Sequence, residues 1–111
     1  MSMASEDLSD RVRDLLGGRM AISEKKMFGG RCFMLHGNML VCPLKSGSLM
    51  VRVGKDGMDD ALAVPGVVPI QMRASVMTGF VEISGDMIED DEALAEWIAR
   101  AQAFVETLPA K

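Results

Sequence analysis

The sequence predicts an α+β fold: two layers, with an antiparallel five-stranded sheet and helices, in the order helix, three strands, helix, two strands, helix. Three observations carry this reading. Arg31 to Leu44 alternates around Gly37-Asn38, a favoured two-residue hairpin turn. Leu94, Trp97, Ile98, Ala101, Val105 and Leu108 recur at helical spacing near the end of the chain. Runs of strands interrupted by single helices suit an antiparallel sheet better than a parallel one.

Taken in order, Ser5 is expected to cap a first helix with Leu8, Val12, Leu15 and Leu16 on its apolar face. Glu6, Asp7, Asp10, Arg11, Arg13 and Asp14 lie on its wet side, and Gly17-Gly18 ends it. Ile22 to Met27 is a connector or a short extended piece. In the hairpin, a Gly37-Asn38 turn sets Leu35 opposite Leu40 and Phe33 opposite Cys42. One face then carries Arg31, Phe33, Leu35, Leu40, Cys42 and Leu44. The other carries Cys32, Met34, His36, Met39, Val41 and Pro43. In that register Cys32 and Cys42 point to opposite faces and can neither form a disulfide nor share a metal. They are expected to be reduced and buried.

Ser46-Gly47 turns the chain into a third strand, Leu49 to Val53, with Met50 and Arg52 on one side. Lys55 to Val64 reads as a short helix stopped by Pro65-Gly66. Val67 to Met72 is a fourth strand that Pro69 weakens, so it is expected to lie at a sheet edge or to begin late; Gly79 to Ser84 is the fifth, and Gly85 breaks the chain. The last helix runs from Asp90 or Asp91 to Leu108, with acidic residues at its positive end and Pro109 at its stop.

The chain has 111 residues, one domain by size, and a net charge of −4 with the acidic excess near the ends. That balance disfavours nucleic acid as a direct partner. The first residues lack the positive start and apolar core of a signal peptide, and no apolar run approaches a membrane span. The expected location is cytoplasmic.

Several pieces form an ordered set: Lys26-Met27-Phe28-Gly29-Gly30, the Phe33 to Asn38 segment, Leu49-Met50-Val51-Arg52-Val53-Gly54, Pro65-Gly66, Met77-Thr78-Gly79-Phe80-Val81 and Leu94-Ala95-Glu96-Trp97. This set resembles the TfoX N-terminal domain family, named for bacterial competence regulators also called Sxy. The resemblance implies a two-layer fold like that of type III secretion chaperones, and a regulatory protein with no enzymatic activity. Competence regulators of the family act on transcription with the cyclic-AMP receptor protein, carry a second helical domain and are tyrosine-rich in the strand matching Gly79 to Ile83. This chain has no tyrosine. The expectation is a single domain over 1–111, with its core at about 8–109 and no C-terminal helical domain.

No catalytic set, metal site or cofactor is expected. His36 is the lone histidine, and along an extended strand it lies about 13 Å from Cys32, too far for a Cys-His pair. Gly29-Gly30 lacks the strand, helix and Lys-Ser/Thr of a phosphate loop. The acidic cluster Asp86, Glu89, Asp90, Asp91 and Glu92 lacks the alternation of a calcium loop and reads as a helix start. Trp97 reads as core, and Arg31, Lys45, Arg52, Lys55 and Arg73 as scattered surface charge that could line one side of the sheet.

The feature that stands out is the second sheet face. Both hairpin faces are mostly apolar, so helices covering one leave the other as an interaction surface. The candidate face is Met34, His36, Met39, Val41, Met50 and Arg52, and the expected partner is a second copy of the chain or another protein, including the transcription machinery. Two alternatives are a DNA-associated regulator and a small-ligand sensor or enzyme with a pocket near Phe28, Gly29, Gly30 and Arg52.

Overall fold

The structure, a computed structural model, describes residues 3–17, 22–27, 30–44, 46–72 and 75–109. The elements run α1 (Met3–Leu16), β1 (Ile22–Met27), β2 (Gly30–Leu35), β3 (Asn38–Pro43), β4 (Leu49–Arg52), α2 (Met58–Leu62), β5 (Val68–Met72), β6 (Ser75–Ile83) and α3 (Asp91–Val105). A 3-10 turn, Gly85–Ile88, precedes α3. The strands form one antiparallel sheet in the order β1-β2-β3-β4-β6-β5.

The sheet therefore has six described strands where five were expected. The added one, β1, is the segment read as a connector or a short extended piece. Its Ser23, Glu24, Lys25 and Lys26 are all exposed, so it shows no apolar alternation. Charged residues on an edge strand block pairing with another chain. The opposite edge is β5, where Pro69 has no backbone N–H to lose from a ladder, as expected.

Four other boundaries shift. Ser5 lies inside α1, not at its cap, and Leu15 is 40% exposed while Leu8, Val12 and Leu16 are buried. The second helix shrinks to Met58–Leu62, and β6 begins at Ser75. The described part of α3 stops at Val105, followed by a turn through Leu108, with Asp90 accepting a hydrogen bond from Glu92 N at 3.5 Å as its N-cap.

The hairpin register is the largest correction. The two turn residues are His36 and Gly37, with φ of 52° and 81°, the pair of positive angles that a type I′ turn needs. Asn38 therefore opens β3 opposite Leu35, and Met34 faces Met39. A bulge follows: Phe33 pairs with Val41, leaving Leu40 as the extra residue. Both Leu40 and Val41 then pack on the helix side. Continuing that register by one residue sets Cys32 directly against Cys42, on the same face.

All three helices lie on one side. Leu8, Val12 and Leu16 of α1, Ala61 of α2 and Leu94, Trp97, Ile98, Ala101 and Val105 of α3 share one buried cluster with Phe33, Leu35, Val41, Leu49, Val51, Val81 and Ile83. Trp97 is core, as expected. Asn38, also buried on this side, donates from Nδ2 to the Pro109 carbonyl at 2.9 Å and ties the end of the described chain to the hairpin.

Arg11, expected on the wet side of α1, clamps the start of α3. Its Nη2 donates to the carbonyls of Ile88 at 2.7 Å and Glu89 at 3.1 Å, and its Nε donates to Asp91 Oδ1 at 3.0 Å. Arg13 grips Glu24 of β1 in a bidentate pair, Nε and Nη2 each 2.8 Å from a carboxylate oxygen, and also reaches Asp10 at 2.7 Å.

Two outcomes test this description. Asn is favoured over His where a type I′ turn needs positive φ, so His36→Asn should raise stability by about 0.5 kcal/mol, measured by urea unfolding; a loss would contradict the turn assignment. The hydrogen bonds from Arg13 hold the Glu24 carboxyl below its ordinary value of 4.5, with Arg31 adding less. A depressed folded pKa stabilises above 4.5, and this contribution is lost as pH falls through the lowered value. For an exposed pair the effect is small, about 0.5 kcal/mol, and Glu24→Gln should remove that part of the acid dependence in pH-resolved urea melts.

Candidate functional site

The sheet face away from the helices has a small core of its own. Cys32 and Cys42 are 0% exposed and Met50 is 1% exposed, and Ile70 joins them. Met34, Met39, Leu44, Met77 and Phe80 pack around this group as a half-buried rim. Among the described residues no helical side chain belongs to the cluster.

The pairings build this face as a row. Lys25 faces Cys32, Cys42 faces Met50, Met50 faces Glu82, and Glu82 faces Val68. With Cys32 against Cys42, a single line crosses all six strands: Lys25, Cys32, Cys42, Met50, Glu82, Val68. Its ends are polar or exposed and its centre is sulfur. Val68 is 47% exposed.

The two thiols are free, buried and packed in the same cluster. Their mutual interaction lowers the pKa of the Cys32 thiol, while the same interaction and burial push the Cys42 thiol far up. Cys42 Sγ lies 3.8 Å from the Pro43 carbonyl oxygen, an acceptor for its S–H.

Of the residues expected on this face, Met34 and Met39 stand on the rim and Met50 at its centre. Val41 does not belong: the bulge turns it into the helix-side core. His36 does not belong either, because it is an exposed turn residue with no place in the strand alternation. Arg52 sits at the border, its guanidinium 5.4 Å from the Phe80 ring and 5.7 Å from the Phe104 ring. The expectation that Cys32 and Cys42 point apart is overturned by the same bulge. Cys32 was expected on this sheet face and lies there, whereas Cys42 and Leu44, expected on the other face, and Ile70, Met77 and Phe80 were missed as members. A bulge carries no signal in one sequence, although the clustering of methionine in the hairpin was visible.

The family motif falls in the β1–β2 connection. Met27 closes β1 opposite Gly30, which opens β2, while Phe28 and Gly29 lie outside the described residues. Of the pocket expected near Phe28, Gly29, Gly30 and Arg52, the described members are Gly30, paired with Met27, and Arg52, which lies against the Phe80 and Phe104 rings. The described grooves lie elsewhere. One of about 430 Å³ is lined by Val53, Gly57, Asp60, Arg100 and Ala103. Another of about 640 Å³ runs along Asp7, Arg11, Ser46, Ser84, Asp86 and Glu89.

The scattered basic residues do not gather. Arg31 pairs with Glu24 at 3.4 Å, Arg52 stacks on its rings, Lys55 lies in the turn after β4, and Lys45 and Arg73 fall outside the described residues. Within the acidic cluster, Asp90 caps α3 and Asp91 meets Arg11, as a helix start would. Among the described residues, no three His, Cys, Asp or Glu side chains are grouped to hold a metal.

The end of β4 explains two of the motif segments. The Gly79 carbonyl accepts from Val53 N at 2.9 Å and from Gly54 N at 3.0 Å, and Gly79 N donates to Met58 Sδ at 3.0 Å. Gly54 has φ of 82°, and a Cβ there would enter the Phe104 ring. Gly54 thus lets α3 close over the end of the sheet, against the same ring that stacks on Arg52.

A sheet covered by helices on one side and filled with sulfur on the other defines a small α+β domain with two unequal faces. A family model described as the TfoX N-terminal domain matches residues 14–105, and the chain belongs to that family. No curated protein and no solved structure matches it.

Gly54→Ala should cost about 2 kcal/mol or more in urea unfolding, from both the backbone angle and the ring clash. Adding Phe104→Ala should recover the clash component only. Strict additivity of the two substitutions would show that the ring does not rest on Gly54.

Proposed function

We propose that this chain is a non-enzymatic regulatory domain that binds protein, a second copy of itself or a component of a transcription complex, through the methionine-rimmed sheet face. The observation that carries this reading is the rim. Met34, Met39, Leu44, Met77 and Phe80 are half-exposed around a buried centre, on the side that no described helix covers. Methionine is flexible and polarizable, which suits a surface that must fit a partner. Membership of a family named for competence regulators supports a regulatory role. No helix of the described residues is long and apolar enough to cross a membrane. A cytoplasmic setting agrees with two reduced thiols.

Met39→Glu places a charge in the rim opposite Met34. It should weaken self-association about tenfold or more in sedimentation equilibrium while the circular dichroism melt stays cooperative. Met39→Gln, a neutral change, should weaken it less. If the native protein self-associates and neither variant changes its mass distribution, self-association does not use this face. If the native protein is a monomer, recovery of the same transcription component by native protein and Met39→Glu alike would remove the face from the account.

A further inference from the structure

Six side chains in and around the second core carry sulfur: Cys32, Cys42 and Met50 at the centre, and Met34, Met39 and Met77 on the rim. Cys42 pairs with Met50, and the β2–β3 register continued one residue past Phe33–Val41 sets Cys32 beside Cys42, so the three central ones are consecutive in one cross-strand row. Neighbouring strands lie about 4.8 Å apart, so the side chains of Cys32 and Met50 flank that of Cys42 on either side. The two thiols pack in one buried cluster with Met50. Methionine, unbranched with three rotatable bonds, can bring its thioether toward them.

We propose that Cys32, Cys42 and Met50 form a binding site for a soft monovalent metal ion, Cu(I), with the thioethers of Met34, Met39 and Met77 as its path of entry. Ligand chemistry selects the ion. Thiolate and thioether donors together favour Cu(I). Mg(II), Ca(II) and Mn(II) take oxygen donors, and Zn(II) sites are built from thiolate, imidazole and carboxylate. The surroundings fit as well, since a dry, apolar shell controls access to a bound metal. Cys32 and Cys42 are fully buried, and the half-exposed rim packed against them carries three thioethers between solvent and the centre.

Binding involves no change of oxidation state. Each thiol gives its proton to solvent and each sulfur donates an electron pair to the ion. Two thiolates and one Cu(I) carry a net charge of −1. Lys25 stands beside Cys32 in the row and offsets it, while Glu82 lies on the far side of Met50. Since protons are released, affinity should rise with pH. The site rests on the register alone and does not require the protein-binding role.

The test is an anaerobic titration of the reduced full chain with Cu(I) against the chromogenic chelator bathocuproine disulfonate, with far-ultraviolet circular dichroism on each variant. The native chain should withdraw a single equivalent of Cu(I) from the chelator. Met50→Leu, which keeps volume and apolarity, should weaken binding about tenfold with an unchanged fold. Cys42→Ser should abolish tight binding, and Met87→Leu, on the helix side, should leave it unaltered. Failure of the native chain to compete overturns the proposal. So does Met50→Leu binding as tightly as the native chain, or a Zn(II) affinity above that for Cu(I).

Discussion

One extra residue in β3 decides what this molecule presents on each side. Leu40 has no partner of its own in β2, and the bulge it creates resets the ladder so that Phe33 meets Val41. Before the bulge, Asn38 faces the helices and Met39 faces away. After it, Val41 faces the helices and Cys42 faces away. A regular hairpin would send Val41 out with Met39 and bring Cys42 in. The bulge thus adds a bulky aliphatic side chain to the helix-side core and moves a thiol to the other face. Both cores depend on that exchange, because side chains alternate with a period of two and a single residue reverses every position beyond it.

The second constraint is coverage. Among the described residues, three helices pack on one side of a six-stranded sheet, and the other side is filled by strand side chains. These are flexible sulfur side chains at the centre of the row and polar or exposed residues at its ends: Lys25 on β1, Glu82 on β6 and Val68 on edge strand β5. Methionine suits this role because its unbranched chain fills irregular gaps where no second layer dictates a shape. The same property leaves the rim adaptable toward a partner, so a stable fold and a binding surface need not compete there. On the helix side the opposite holds. Arg11 fixes the entry to α3 through two carbonyls and a carboxylate, and Gly54 lets Phe104 seat over the sheet end.

Much of the fold was legible where a local pattern and the tertiary environment agree. The stripe of α3, its acidic start, the edge position of Pro69 and the burial of Trp97 all follow from periodicity or from proline's missing donor. The expected faces failed where tertiary pairing overrode a local signal. Gly37-Asn38 is a good turn pair, yet His36-Gly37 was used, which lets Asn38 bond the Pro109 carbonyl far along the chain. β1 was hidden because an edge strand is protected by charge and not by alternation. Met34, Met39, Met50 and Cys32 were legible as one face from alternation, whereas the meeting of Cys32 with Cys42 was not, since it depends on a bulge that no turn residue announces.

The register between β2 and β3 is therefore the claim on which the second face stands, and a cross-strand nuclear Overhauser experiment on the isotope-labelled chain measures it directly. The account predicts backbone contacts of Cys32 with Cys42, Phe33 with Val41 and Leu35 with Asn38. Contacts of Phe33 with Cys42 and Leu35 with Leu40 instead would place the thiols on opposite faces and contradict it.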